Sequence, residues 1–553
     1  MKLRRPRRST GVMVLSALLV LAASQPSRAD DPKSTSSTTG ARLDYIDAML
    51  KTSWEENNVK PSKRATDEEF LRRAYLDVLG RIPNITEATA FLKAVDKSKG
   101  GKDKDKEGDK RTKLVEYLLN DPDYAKNFAT QWKVILLGRK MQQREVDAKA
   151  LTDWLRRQFL DNRPWNEMAR DLITATGSNK ENGAVNYSLA HMADNAINLT
   201  SITTRVFLGQ QIQCTQCHDH PSNDWKQSDF WGINAFYRGL KKEDVRTANA
   251  AGLEMVDHTD LSDRPTDKWA TYDRRDARIG TVPPTFLDGR KISPGKDVNR
   301  REALGQFITE PSNDTFAKAY VNRMWGHFFG RGFVQPVDDF GPQNLPSHPE
   351  LLDKLAQQFK DSGYDTKALI RWIMNSEAYN LTSASTKANE KDETLFSHMN
   401  LKPMTPEQLF DSLIVATAAH KAGGGEDQTT RRNQWLGQFV IAFANDEGEE
   451  SLNFQGTIPQ ALMMMNGELM DKAVGGRSGS FLADVLERSR VQTKGSAEAY
   501  VVNNLYLAAL SRYPVKRELD AARAFLSNSP DTIYIMEDMF WALLNSNEFV
   551  LNR

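Results

Sequence analysis

The stretch Thr66–Pro83, TDEEFLRRAYLDVLGRIP, sets the fold class of this chain. Thr66 and Glu69 stand three apart ahead of an apolar run. That is the pattern of a capping box, in which the hydroxyl and the carboxylate each satisfy a free backbone N–H at a helix start. Phe70, Leu71, Ala74, Tyr75, Val78 and Leu79 then recur at helical spacing, so one face must be buried. Pro83-Asn84 interrupts the pattern, and a second helix begins over Glu87 to Val95.

Outward from this stretch the same reading repeats. Leu114 to Leu240 reads as several helices rich in tryptophan and leucine, and helical patterning resumes near Arg300 and runs to the end. Between them, over 241–298, the periodicity fades and Gly, Pro, Asp and Thr rise. Short apolar runs there, Gly280-Thr281-Val282 and Thr285-Phe286-Leu287, are bounded by turn signals, and Leu287-Asp288-Gly289-Arg290 reads as a turn between strands. A chain of 553 residues is too long for one core. The expected fold is mainly α, a multi-helix protein of two helical domains, 41–240 and 299–553, with a small β-containing insert at 241–298. Asp96 to Arg111, DKSKGGKDKDKEGDKR, has nothing apolar to bury and reads as a solvated loop.

One phrase echoes within the chain. Tyr75, Leu76, Leu79, Arg81, Pro83 and Glu87 match Tyr506, Leu507, Leu510, Arg512, Pro514 and Glu518 at constant offset. A second phrase recurs at Leu118–Tyr124, Ile373–Tyr379 and Leu543–Phe549: an apolar helix end, an Asn that can cap it, and an aromatic that packs back. Two or three similar helical hairpins account for this. The repeats are too sparse for a solenoid.

The N-terminus has the three parts of a signal peptide in order: basic residues from Lys2 to Arg8, an apolar run from Gly11 to Ser24, and small residues in Ser27-Arg28-Ala29. Residues 1–29 are therefore read as a signal peptide and 30–40 as a polar linker. The apolar run is short for a membrane span, so the mature chain is expected to lack one and to reside in the periplasm or cell envelope. The formal charge is +1, from 74 basic and 73 acidic residues, and six of the basic residues precede Ala29. The remainder is mildly acidic with no basic stripe, which excludes a nucleic-acid partner.

The only two cysteines lie in one element, Cys214-Thr215-Gln216-Cys217-His218. Two thiols three residues apart, followed at once by a histidine, suit covalent attachment of a haem. The sulfurs add to the porphyrin vinyl groups and His218 binds the iron as an axial ligand. Export fits, because such attachment occurs outside the cytoplasm. Haem c is thus the expected cofactor, held by Cys214, Cys217 and His218, with an unidentified redox partner. Two other readings stay open: a zinc ion held with His220, and a Cys-x-x-Cys redox disulfide. His191, Met192 and His258 are candidates for a second axial ligand. Asp219 and His220 suit support of His218 rather than ligation. His327, His348, His398 and His420 read as packed or surface residues. Asp338-Asp339 could be an acid/base pair, although adjacent acids more often mark a turn. No phosphate loop, nucleophile elbow, His-Glu-x-x-His, hydrolase or transferase motif is present.

Longer phrases carry a family resemblance. Asp67–Asp77, Leu79–Pro83 and Phe207-Leu208-Gly209 through Cys214–Pro221 resemble a planctomycete-specific cytochrome c-like domain. Arg300–Leu304, Ala319–Gly332, Pro336–Phe340 and Ser347–Leu352 resemble the domain that usually follows it. These are the domain-of-unknown-function families 1549 and 1553, whose biochemical activity is not established. The resemblance implies an exported sulfatase-like partner and a link to polysaccharide metabolism. Many relatives carry a separate cytochrome domain that has no counterpart here, which leaves Cys214 and Cys217 as the expected attachment point. The competing function is a non-redox scaffold that docks a partner enzyme. A glycan hydrolase using Asp338 and Asp339 is the third.

Overall fold

The computed structural model describes residues 36–94, 110–139, 143–248, 254–292, 298–422, 427–443, 463–465, 467–476, 478–491, 496–527 and 531–553. The signal peptide read at 1–29 lies outside these residues. So do 30–35 of the linker and 96–109 of the charged loop. Residues 36–40 of the linker belong to helix α1 (Ser36–Glu56).

Helix α2 (Asp67–Leu79) starts and stops for local reasons. Thr66 Oγ1 accepts from the Glu69 amide at 3.3 Å, and Gly80 ends the helix at φ 71°, its N–H bonding Leu76 O at 3.1 Å. A Cβ on Gly80 would lie 2.4 Å from Asn127 Oδ1. Only half of the expected capping box forms. The Glu69 carboxylate turns away from the helix start to accept from Arg73 (2.9 Å), Thr382 (2.7 Å) and the Ser383 amide (2.7 Å). The full box sits one helix later, where Asn84 and Glu87 cap α3 (Ile85–Lys93) reciprocally. Helices α4 (Lys110–Asn120) and α5 (Pro122–Leu137) complete the first unit. The solvated-loop reading fails at its last two residues. Lys110 and Arg111 open α4, and Arg111 is buried, bonded to Asp67, Asn380 Oδ1 and Ala65 O.

The echo in the sequence is a repeated four-helix unit. Helices Ala497–Leu510, Lys516–Ser527, Thr532–Leu544 and Asn547–Val550 follow the order of α2 to α5. In the first unit Arg81 bonds Glu87 at 2.9 and 3.0 Å and Asp123 at 3.0 Å. In the second, Arg512 bonds Glu518 at 2.7 and 2.8 Å and Glu548 at 2.7 and 2.9 Å. Each guanidinium also lies over its own tyrosine, Tyr75 or Tyr506. The repeated Asn caps as expected. Asn120, Asn375 and Asn545 each donate to the carbonyl four residues back, and Tyr124, Tyr379 and Phe549 are buried beside them.

Four more helices lead towards the cysteines: α6 (Ala148–Leu160), α7 (Trp165–Thr174), α8 (Val185–His191) and α9 (Ala193–Leu208). After α10 (Gln227–Asn234) comes the β region. Strands β2 (Leu240–Ala248) and β3 (Glu254–Asp263) form an antiparallel pair, with the two-residue β1 (Gly177–Ser178) on the other edge of β3. Strands β4 (Ala270–Asp273) and β5 (Ile279–Val282) make a separate hairpin. Arg300 and Arg301, at the start of α11 (Arg300–Thr309), fasten this region. Arg301 bonds Asp263 at 2.7 and 2.8 Å and the carbonyls of Ile173 and Ala175. Arg300 bonds the carbonyls of Ala235, Thr266 and Lys268.

Helices before and after the β region share the larger core. Trp132 and Trp165 stack with Tyr320 of α12 (Asp314–Phe329), and Tyr320 in turn stacks on Phe359 of α13 (Pro349–Asp361). A smaller core is built from residues 404–549 together with Leu76 and Ile82. The two units interlock reciprocally: Leu76 packs in the smaller core, and its counterpart Leu507 packs in the larger. Among the described residues, no helix is long and apolar enough to cross a membrane.

Candidate functional site

Helix α9 ends at Gly209, φ 63°. The chain then forms a 3-10 turn over Gln213–Gln216 and re-enters helix at Gln227. Residues that hold this loop alternate with residues that it displays. Thr215 is wholly buried, its hydroxyl bonded to Ile212 O at 2.6 Å. The Gln216 carbonyl accepts from Gln227 Nε2 at 3.1 Å and Trp231 Nε1 at 3.0 Å. The Asp219 carboxylate accepts from the Gln227 amide at 2.9 Å. Trp231 stacks parallel on Tyr272 of β4, 5.7 Å between centroids, so the β region buttresses the loop. Cys214 and Cys217 are exposed and unpaired.

His218 Nδ1 lies 2.7 Å from Asp219 O. A carbonyl only accepts, so Nδ1 donates, and in the neutral ring the lone pair is then left on Nε2. That is the tautomer a metal-ligating histidine needs, fixed by a neighbouring backbone oxygen. His220 is used the other way. Its Nδ1 accepts the amides of Ser222 (3.2 Å) and Asn223 (2.9 Å), which closes the turn. The donor set of two free thiols and one oriented imidazole fits a covalently attached haem. Among the described residues, no group of three or more His, Cys, Asp and Glu side chains is arranged to hold a metal ion.

Of the candidates for a second axial ligand, His191 donates from Nε2 to Leu136 O at 2.7 Å, and His258 is paired with Asp257 and Asp260 on β3. Met192 packs against the larger core. His327 is partly buried, bonded to Asp77 O at 2.9 Å, and desolvation holds its pKa below the usual histidine value. A cavity of about 550 Å³ lies behind the loop, lined in part by Gln210, Trp225, Asp288, Arg290, Glu310 and Asp314. Arg290 bridges Asp288 and Glu310 at 2.7 and 2.5 Å. Its carboxylates outnumber its one cation, so this cavity does not suit an anionic ligand.

The loop meets a segment more than a hundred residues away, a juxtaposition the sequence did not disclose. Gln211 Nε2 donates to Asp338 Oδ1 at 3.0 Å. Arg323 and Arg205 lie 3.3 and 3.7 Å from Asp338 Oδ2. The Phe340 amide bonds Gly209 O at 2.8 Å. Asp339 accepts from Asn344 at 2.8 Å, and its pKa is raised, chiefly by burial and then by the charge of Asp338, with Asn344 and His220 opposing. Asp338 and Asp339 thus belong to a turn that lies against the cysteine loop. Asp338 is engaged by an amide and two guanidiniums, which argues against a free acid or base there.

Two family models match the chain. PSCyt2, described as a protein of unknown function (DUF1549), matches residues 45–242, and PSD1, described as a protein of unknown function (DUF1553), matches residues 300–526. No curated protein and no solved structure matches. The cysteine loop falls in the first match and the Asp338 turn in the second, so the chain is a two-domain protein that carries a PSCyt2 domain followed by a PSD1 domain, the order its sequence phrases indicated.

Proposed function

We propose that this protein binds one haem c covalently through Cys214 and Cys217, with His218 as an iron ligand, and serves an electron-transfer or redox-associated role in the cell envelope. The observation that carries the reading is the His218 tautomer beside two unpaired, exposed thiols. Bound there, the haem supplies one-electron chemistry. The chain's own residues supply its fixing and orientation. Thr215, Gln216 and Asp219 hold the backbone, so the two sulfurs keep their separation. Asp219 O holds the imidazole ring. The apolar run at the N-terminus supports export, with cleavage after Ala29. An exported sulfatase-like partner, and through it polysaccharide metabolism, remain part of the proposal by family resemblance.

The test is a reduced-minus-oxidised visible spectrum, with haem-peroxidase staining of denaturing gels, on protein matured in a host that attaches haem c. Wild type should stain, and Cys214→Ser/Cys217→Ser should not. His218→Ala should keep the covalent group and change its spectrum. Wild type that never stains but carries stoichiometric zinc would replace this reading with a structural-metal scaffold.

A further inference from the structure

We propose that the turn Pro336–Asn344 of the PSD1 domain is the seat that fixes the Cys-x-x-Cys-His loop of the PSCyt2 domain, with Asp338 as its positioning residue. The loop's importance rests on the haem reading; the seat does not.

The loop's two stems are held differently. The later stem, Asp219 to Gln227, is tied mainly within its own half of the chain, by the Asp219 carboxylate and by the grip of Gln227 and Trp231 on Gln216 O. The earlier stem, Gly209 to Ile212, takes anchors from across the β region. Gly209 O accepts from the Phe340 amide at 2.8 Å, and Gln211 Nε2 donates to Asp338 Oδ1 at 3.0 Å. The approach is close enough that a Cβ on Gly209 would lie 2.5 Å from the Phe340 ring. The turn reaches the later stem as well: a Cβ on Gly341 would lie 3.0 Å from the Asn223 side chain.

Asp338 is what lets these surfaces meet. Arg205, on the last turn of α9, and Arg323, on α12, approach the same carboxylate oxygen at 3.7 and 3.3 Å. Without the carboxylate, Arg205 and Arg323 lose the group that both approach across the seam, and the Gln211 amide loses its acceptor. The later stem keeps its own bonds, so the loss should be local. The seat therefore gives the second domain a task, which is to hold the loop rigidly enough that two thiols and an imidazole keep a fixed geometry.

The test is hydrogen–deuterium exchange on the full chain made without haem-attachment machinery, comparing wild type with Asp338→Ala, Asp338→Glu and Gln211→Ala. Asp338→Ala should speed exchange over residues 209–218 by about tenfold or more, while α2 and residues 227–234 exchange as in wild type. Gln211→Ala should move the same amides less, and Asp338→Glu should restore most of the protection by returning the charge. Unchanged exchange over 209–218 in both Asp338→Ala and Gln211→Ala would overturn the seat. So would a loss of protection spread evenly over the molecule. If Asp338→Ala does not fold, Gln211→Ala decides alone, since it removes only one neutral donor and no charge. If the loop loosens but wild type matured in a haem-attaching host never stains, the haem reading falls and the seat stands; if that protein stains but the loop does not loosen, the seat falls and the haem reading stands.

Discussion

Arg72, Arg73 and Asp77 lie on what periodicity alone assigns to the polar face of α2, yet all three are buried. Arg72 donates to Ala509 O and Phe549 O, and Arg73 to Tyr379 O, Leu381 O and Arg553 O as well as to Glu69. Asp77 accepts from Lys402 (2.7 Å), Asn552 (2.7 Å) and the Tyr379 hydroxyl (2.8 Å). A period of 3.6 shows which face is apolar; it does not show that segments three to five hundred residues away enclose the other face. Asp77→Ala should cost about 3 kcal/mol in denaturant unfolding, because it removes the carboxylate paired with the largely enclosed Lys402 ammonium and the acceptor of Asn552 and Tyr379. His348 gives a pH signature. Burial lowers its pKa to about 4, against roughly 6.5 in an unfolded chain. Between those values the unfolded state binds the extra proton, so stability should fall as pH drops from about 6.5 to 4, by at most about 3 kcal/mol. Urea titrations of wild type and His348→Gln across that range should show a slope that the variant loses.

Elements were the most legible scale. Thr66 as a cap, the break at Pro83 and the helical restart at Arg300 are local decisions, made by a hydroxyl, a ring and an apolar stripe, and the helices lie where those residues put them. The repeat was readable as similar helical hairpins, though not as a four-helix unit, because its marks, Arg81 with Glu87 and Arg512 with Glu518, are one interaction made twice. The end of the charged segment was misread because composition averages over neighbours. Arg111 follows a run of lysines and aspartates, yet reaches Ala65 O and Asp67. The two halves of the segment should therefore respond differently. Replacing 96–109 with a short Gly/Ser linker should leave the melting temperature nearly unchanged, since the second unit makes the same connection with four residues, 528–531. Arg111→Ala should lower stability by roughly 2–4 kcal/mol in chemical denaturation. Gly80→Ala should cost about 2 kcal/mol, from its left-handed backbone and the displacement of Asn127.

At the scale of the whole molecule, the contact between the cysteine loop and Asp338 was illegible, because nothing in either phrase names the other. Their meeting depends on α9 and α12 packing side by side in a core that both family regions build. The exchange of Leu76 and Leu507 between the two cores predicts that the chain does not divide cleanly after the larger one. A fragment ending at residue 403 would expose Leu76 and Ile82 and leave Arg72 without its carbonyls. It should express as insoluble or molten protein, checked by near-UV circular dichroism, whereas a native-like spectrum would show the second unit to be independent.

The central claim is that Cys214, Cys217 and His218 hold a haem. Intact-mass spectrometry under denaturing conditions tests it most directly, on protein exported by a host with haem-attachment machinery. The account predicts a chain that begins at Asp30 and is heavier than its sequence by the mass of one haem, an increment absent from Cys214→Ser/Cys217→Ser. A wild-type chain at its bare sequence mass, or lighter by only the two hydrogens of a Cys214–Cys217 disulfide, would contradict it.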